Sequence, residues 1–167
     1  SRPDGLLGNG WAVMAGGWEL SDNSVRATSA AQSTGRAQMV QPSLRGPSQT
    51  VSALFLRPTE SNGRFGFMLR YQDARNYYAC YRAAQAWVIS KVVNGTETVL
   101  KRVSAPPVPV GAWFPVTCAV NGSTLSTGPN AAQTEASVTA FTYANGSVGL
   151  QLNRAGLRAD TFRATVR

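Results

Sequence analysis

Residues 64–100 (RFGFMLRYQDARNYYACYRAAQAWVISKVVNGTETVL) alternate short apolar or aromatic runs with turn signals at 72–76, 83–85 and 94–95. Each run has the length of a β-strand, and the Asn94, Gly95 pair is a strong hairpin signal because both residue types tolerate positive φ. A chain written this way doubles back on itself as an antiparallel meander. That restricts the fold to the all-β class before any other residue is considered.

The remainder keeps the same rhythm. No window carries a convincing apolar stripe of helical period, and strands are expected near 10–14, 16–20, 24–28, 37–41, 49–57, 64–71, 76–83, 86–93, 97–103, 112–121, 123–127, 136–142, 146–152 and 157–166. Turn residues recur at about 8–12 positions, the spacing of a sandwich or barrel. Pro106, Pro107 and Pro109 mark a loop that cannot enter a central strand. With no internal repeat and no low-complexity linker, residues 1–167 are expected to form a single domain. A domain of that size buries about 70% of its extended-chain surface.

Composition narrows the chemistry. The chain has no histidine, which removes the commonest general base, the usual zinc ligand and every nucleophile–histidine pair. Its eight carboxylates are Asp4, Glu19, Asp22, Glu60, Asp73, Glu97, Glu135 and Asp160, and no single strand presents two of them. A catalytic pair could still assemble in three dimensions, so hydrolysis is disfavoured rather than eliminated. The net charge of +8 comes from fourteen arginines and two lysines. Arginine forks onto carboxylate, sulfate or phosphate, which favours an acidic polysaccharide; scattered charge that serves solubility is the competing reading. Nucleic acid is not expected, because the basic residues form no continuous run or face.

Cys80 and Cys118 both fall in strand-like runs with inward parity, and in a secreted β-domain such a pair reads as a disulfide; two buried free thiols are the alternative. Asn-Gly-Ser/Thr triplets begin at Asn94, Asn121 and Asn145. All three match the N-glycosylation pattern, and all three are explained by turn chemistry between strands. No transmembrane run or signal peptide is recognisable, so membrane insertion is not expected and the chain reads as a mature or excised domain.

Several segments, in order, resemble the concanavalin A-like, laminin-G-like jelly-roll domains attached to bacterial secreted polysaccharide-degrading enzymes. They are RPDGLLGNGW at 2–11, GGWEL at 16–20 with Asn23-Ser24-Val25, and GFMLRYQD at 66–73 with Asn76-Tyr77-Tyr78. Gly111-Ala112-Trp113-Phe114, Asn121-Gly122-Ser123 and Ala159-Asp160-Thr161-Phe162 complete the pattern. The resemblance implies a two-sheet antiparallel jelly-roll β-sandwich whose sugar-binding members use one sheet face or its rim. It also implies that one structural calcium could sit near the joined termini, for which Asp4 and Asp160 are the available acids. The acidic Glu-x-Asp-x-Glu strand of the related glucanases is absent here.

Strict alternation then assigns faces. Phe65, Phe67, Leu69 and Tyr71 point inward, as do Tyr78 and Cys80. Met68, Arg70, Tyr77 and Tyr81 share the outer face with Ser90, giving a shallow aromatic platform with a cation, suited to stacking on a sugar ring. Truncating Tyr77 or Arg70 should therefore leave the fold intact. Arg82 falls on the inward parity and is placed past the sheet edge, while Trp18, Trp87 and Trp113 take core positions and Trp11 packs under the first loop.

The expected function is a non-catalytic carbohydrate-binding or adhesion module of a secreted bacterial protein, with neighbouring domains and a ligand that could be an acidic polysaccharide. Two alternatives stand beside it. One is a structural or assembly domain of a surface filament or phage particle. The other is a polysaccharide lyase that uses Arg70 with Tyr77 or Tyr81.

Overall fold

A computed structural model describes residues 10–31, 35–58 and 63–167. Fourteen strands, none longer than ten residues, build two seven-stranded antiparallel sheets. The first sheet contains β1 (Ala12–Ala15), β4 (Ala37–Gly46), β6 (Phe65–Asp73), β7 (Asn76–Ala83), β8 (Ala86–Val93), β9 (Thr96–Ser104) and β13 (Gly146–Leu152), in the order β1-β4-β13-β6-β7-β8-β9. The second contains β2 (Gly17–Ser21), β3 (Ser24–Ser29), β5 (Gln49–Leu56), β10 (Trp113–Asn121), β11 (Thr124–Gly128), β12 (Ala136–Thr139) and β14 (Arg158–Val166), in the order β12-β11-β10-β5-β14-β3-β2. This is the jelly-roll β-sandwich that the sequence predicts. The meander read at 64–100 is β6-β7-β8-β9, and Asn94 (φ 52°) with Gly95 (φ 85°) makes its last turn. The other two Asn-Gly-Ser/Thr triplets behave differently. Of Asn121 and Gly122 only the glycine takes positive φ, within a two-residue Gly122-Ser123 loop, and Gly146 (φ 153°) begins β13 rather than turning a hairpin.

The sandwich core lies between the sheets. Phe55 stacks on Phe65 with ring centroids 5.0 Å apart and meets the edge of Phe67 at 5.4 Å, while Leu69, Tyr78, Ile89, Val116, Leu125 and Leu150 fill the layer around them. Cys80 and Cys118 join this layer from opposite sheets, as their parity requires. They are free thiols, which corrects the expected disulfide. The Cys118 thiol donates to the Cys80 carbonyl (3.4 Å) and lies 3.3 Å from the Thr127 hydroxyl, so both sulfurs act as small core fillers. Trp87 is buried and Trp11 packs edge-on against Phe162, but Trp113 is 42% exposed. Trp113 occupies the outward parity of β10, because its neighbour Phe114 takes the inward position.

One end of the sandwich is closed by the proline-rich loop. Arg82 lies within β7, only 1% exposed, and donates to the carbonyls of Ala83 and Pro106 while its guanidinium sits 5.2 Å from the centroid of Trp87. Rather than passing the sheet edge, this cation is covered by the loop. Burial pulls its pKa down to about 10, helped by the nearby positive charge of Arg57.

Strict alternation fails in β6. The β6–β7 register shifts between Leu69 and Asp73, and Arg70 takes a positive φ of 46°. This bulge turns Arg70 off the outer face and puts Tyr71 onto it, reversing both assignments. Arg70 is buried at the sandwich end. It donates to the carbonyls of Pro47, Tyr143 (2.6 Å) and Gly122, and its backbone N–H donates to Gln49 Oε1 (2.8 Å).

A second apolar cluster covers the outer face of the first sheet: Met68, Tyr71, Tyr77, Ala79, Tyr81 and Val88, with Val40 and Val92 beside them. Strands β6, β7 and β13 are therefore buried on both faces along most of their length. Tyr81 has room because its partner on β6 is Gly66, and Met68 because Gly149 and Ala79 flank it.

Candidate functional site

The outer face of the first sheet gathers most of the polar chemistry among the described residues. Register builds it. The Asn94, Gly95 turn sets Glu97 of β9 opposite Val92 of β8, which is itself opposite Tyr77 of β7; Ser90 lies opposite Ala79, and Val88 opposite Tyr81. All of these point outward. Gln38 of β4 and Gln151 of β13 are paired on the same side, next to Gly66.

Glu97 is the hub. Its Oε1 accepts from the Ser90 hydroxyl (2.8 Å) and the Tyr81 hydroxyl (3.0 Å), and its Oε2 accepts from Arg36 and from Arg64 Nη1 at 3.5 Å. Burial pushes the Glu97 carboxyl up, but Arg36, the two hydroxyls and Arg64 together outweigh it and hold the group below its ordinary range. The Tyr77 hydroxyl accepts from Gln38 Nε2 (2.8 Å) and Arg36 Nη1 (3.1 Å). Arg64 also donates to the Tyr81 hydroxyl (3.3 Å) and lies 5.5 Å from that ring's centroid. Burial raises the pKa of Tyr77 and Tyr81, and raises that of Tyr71, stacked 5.9 Å from Tyr77, to about 12.

The expected site residues separate into two groups. Met68, Tyr77, Tyr81 and Ser90 come together on one face as predicted, whereas Arg70 is excluded by the bulge. The face is not an open stacking platform, however. Tyr77 is 0% exposed and Tyr81 4%, and Met68 is buried beneath them, so the rings form a floor. Above that floor Arg36, Arg64 and Glu97 keep part of their side chains in solvent. A small depression lined by Arg36, Arg64, Tyr81, Gln151 and Asn153 opens beside Glu97.

Three buried polar atoms on this side of the sheet have no hydrogen-bond partner among the described residues: Gln38 Oε1, Gln151 Oε1 and the Tyr71 hydroxyl. Each of the three is almost wholly closed to solvent, so they lie beneath the face rather than on it. Above them Glu97 accepts, while Arg36 and Arg64 donate, each with part of its side chain in solvent. A set of clustered hydroxyls, which donate and accept at once, fits this arrangement.

The residues that sequence reasoning passed over are Glu97, Arg36, Arg64, Gln38, Gln151 and Tyr71. For Glu97 the signal was present: the type of turn at 94–95 fixes the β8–β9 register, and that register sets Glu97 on the face of Ser90. Asp160, one of the two expected calcium acids, stands where β14 kinks, its Oδ1 accepting the Thr161 N–H (2.6 Å). Asp4 lies outside the described residues, and among those described no three His, Cys, Asp or Glu side chains cluster as a metal site. The lyase arrangement is not assembled, since Arg70 does not meet Tyr77 or Tyr81 and both phenols are shifted up, not down.

No protein-family model matches the chain, and no curated protein sequence does either. Solved structures match throughout. The carbohydrate-binding module CBM66 from Bacillus subtilis superposes with a TM-score of 0.80 at 18% identity, over 93% of this chain and 94% of that one. The β-glucanase of Bacillus licheniformis gives 0.65 at 10% identity, over 97% and 94%. The Caenorhabditis elegans galectin LEC-6 gives 0.57 at 15% identity, over 87% and 99%. The fold is thus the jelly-roll β-sandwich that these three proteins also have.

Proposed function

We propose that this chain is a non-catalytic carbohydrate-binding module that takes saccharide on the outer face of its first sheet. The observation that carries the reading is the partly exposed polar set of Glu97, Arg36 and Arg64 above the tyrosine floor, beside a depression that Gln151 and Asn153 also line. Sugar hydroxyls serve this set as donors and acceptors, and the tyrosine floor beneath supplies a rigid apolar base. The carbohydrate-binding module and the galectin that share the fold lend support from their names. Among the described residues the partners of Glu97 are Ser90, Tyr81, Arg36 and Arg64, none of them a carboxylate, which suits recognition better than glycoside hydrolysis.

The finer reading is a domain of a larger extracellular protein whose ligand carries acidic groups, in keeping with the charge of +8. A structural calcium shared by Asp160 and Asp4 is a separate proposal, checked by whether chelation lowers the melting temperature.

A glycan array probed with the wild-type chain and with Glu97→Gln tests the assignment. Binding to a saccharide that Glu97→Gln weakens at least about tenfold is expected, the loss of one charge-assisted contact set. No glycan bound at all would favour the protein-binding assembly domain instead.

A further inference from the structure

The tips of the β6–β7 and β8–β9 hairpins enclose a cleft of about 520 Å³, lined by Arg36, Arg75, Val92, Asn94 and Thr96. Arg36 lines this cleft and also the depression beside Glu97, so the two spaces adjoin across one guanidinium. Their charge differs. Beside Glu97 both arginines are offset by that carboxylate, whereas the cleft adds Arg75 with no acid among its described lining residues. Arg75 makes no ion pair among the described residues. The nearest acid in sequence, Asp73, is occupied by its own turn. Its Oδ1 accepts from the Arg75 N–H (2.7 Å) and Asn76 Nδ2 (3.0 Å), and its Oδ2 from Asn76 Nδ2 (3.1 Å).

Arg75 is also held in place. Its Nη2 donates to the Asn94 carbonyl (2.7 Å), and the backbone N–H of Gly95 donates to the Arg75 carbonyl (2.9 Å). The Asn94 N–H is in turn bound by Asn76 Oδ1 (3.0 Å), which laces the two tips together. Gly95 lets the guanidinium lie over the turn, since a Cβ there would stand 3.1 Å from Arg75 Nε. One nitrogen of the fork is thereby anchored and the rest keep free N–H donors, a pre-organised cation that loses little entropy on binding.

We propose that this cleft is a second subsite, one that takes a carboxylate- or sulfate-bearing sugar residue next to a neutral residue seated beside Glu97. The proposal rests on the saccharide-binding reading of that face and adds the class of ligand and its orientation. A carboxylate placed beside Glu97 would meet like charge; placed over Arg75 it finds a guanidinium that makes no ion pair among the described residues.

Titration calorimetry with matched oligosaccharides tests it: cello-oligosaccharides against oligoglucuronates, galacto-oligosaccharides against oligogalacturonides, and unsulfated against sulfated galactans. The wild type is expected to prefer the acidic member of at least one pair by about three- to tenfold at low salt, the scale of one exposed charge-assisted contact. Arg75→Ala should erase that preference and leave the neutral member unchanged, Arg75→Lys should retain part of it, and Glu97→Gln should weaken both members. An acidic preference that survives Arg75→Ala, or none in the wild type that still binds neutral sugars, overturns the second subsite alone. A wild type that binds no member of any pair overturns the saccharide reading with it. Arg75 is exposed at a hairpin tip, so melting curves of the two Arg75 variants should match the wild type.

Discussion

Arg70 and Tyr71 exchange faces across the bulge in β6: the arginine turns inward to the sandwich end and the tyrosine outward to stack on Tyr77. A single left-handed residue produces the exchange, because one extra residue between paired positions inverts every later side chain. The consequence for function is direct. The outer face gains a phenol with an unpaired hydroxyl and loses the cation that alternation would have placed there.

Arg70 is therefore a structural residue. Its guanidinium joins three segments by donating to the carbonyls of Pro47, Gly122 and Tyr143, and burial lowers its pKa, in keeping with a site that has little water. Arg70→Ala strips these carbonyls of their donor and should cost about 2–4 kcal/mol. Urea unfolding will measure the loss. Saccharide affinity of the folded variant should equal that of the wild type; a specific loss of binding in a protein of unchanged stability would contradict this placement.

Tyr77 separates packing from recognition. Its ring is fully buried in the outer-face cluster, so Tyr77→Ala opens a cavity and should destabilise by about 3–5 kcal/mol, as other aromatic truncations do. Tyr77→Phe keeps the ring and removes only the acceptor for Arg36 and Gln38, at a cost of about 1–2 kcal/mol. The pair of melting curves distinguishes a floor from an exposed stacking platform, for which both variants would unfold like the wild type.

Much of this arrangement was legible in the sequence. Strand-length runs and Gly, Pro and Asn punctuation located every strand, because backbone turns leave a local signature. Inward parity also held for Phe65, Phe67, Tyr78 and Cys80, and outward parity for Tyr77 and Ser90. Three things were not local. The bulge at Arg70 is imposed by carbonyls from segments distant in the chain. The burial of Tyr77 and Tyr81 depends on Arg36, Gln38 and Glu97, which arrive from other strands. Whether two inward cysteines bond depends on how two sheets pack, and here the Cys118 thiol hydrogen-bonds a carbonyl instead.

Those thiols give a simple test. With both cysteines free, the melting temperature should be the same with and without reductant, and a thiol reagent should count two thiols only after denaturation. Burial, with the neighbouring Cys80, raises the pKa of Cys118 well above its usual value, so alkylation of the native protein should be slow even in mild alkali. A reductant-dependent melting temperature would restore the disulfide.

Glu97 should also set the acid limit of stability and of binding. Its pKa is lowered in the folded protein relative to the ordinary 4.5, so the unfolded chain takes up the proton first as pH falls. The stabilising contribution of the ionised carboxylate is thus complete above about pH 5 and is lost as pH drops below 4.5 through the lower folded value. Glu97→Gln lacks this titration. Its urea midpoint should lie below that of the wild type near neutrality, and the gap should narrow with acidification. Saccharide affinity of the wild type should hold steady from about pH 7 to pH 5 and fall where Glu97 itself protonates. Parallel urea and binding titrations across this range decide the matter. A gap between wild type and Glu97→Gln that stays constant down to about pH 2 would mean that the carboxylate is not held ionised by Arg36 and Arg64.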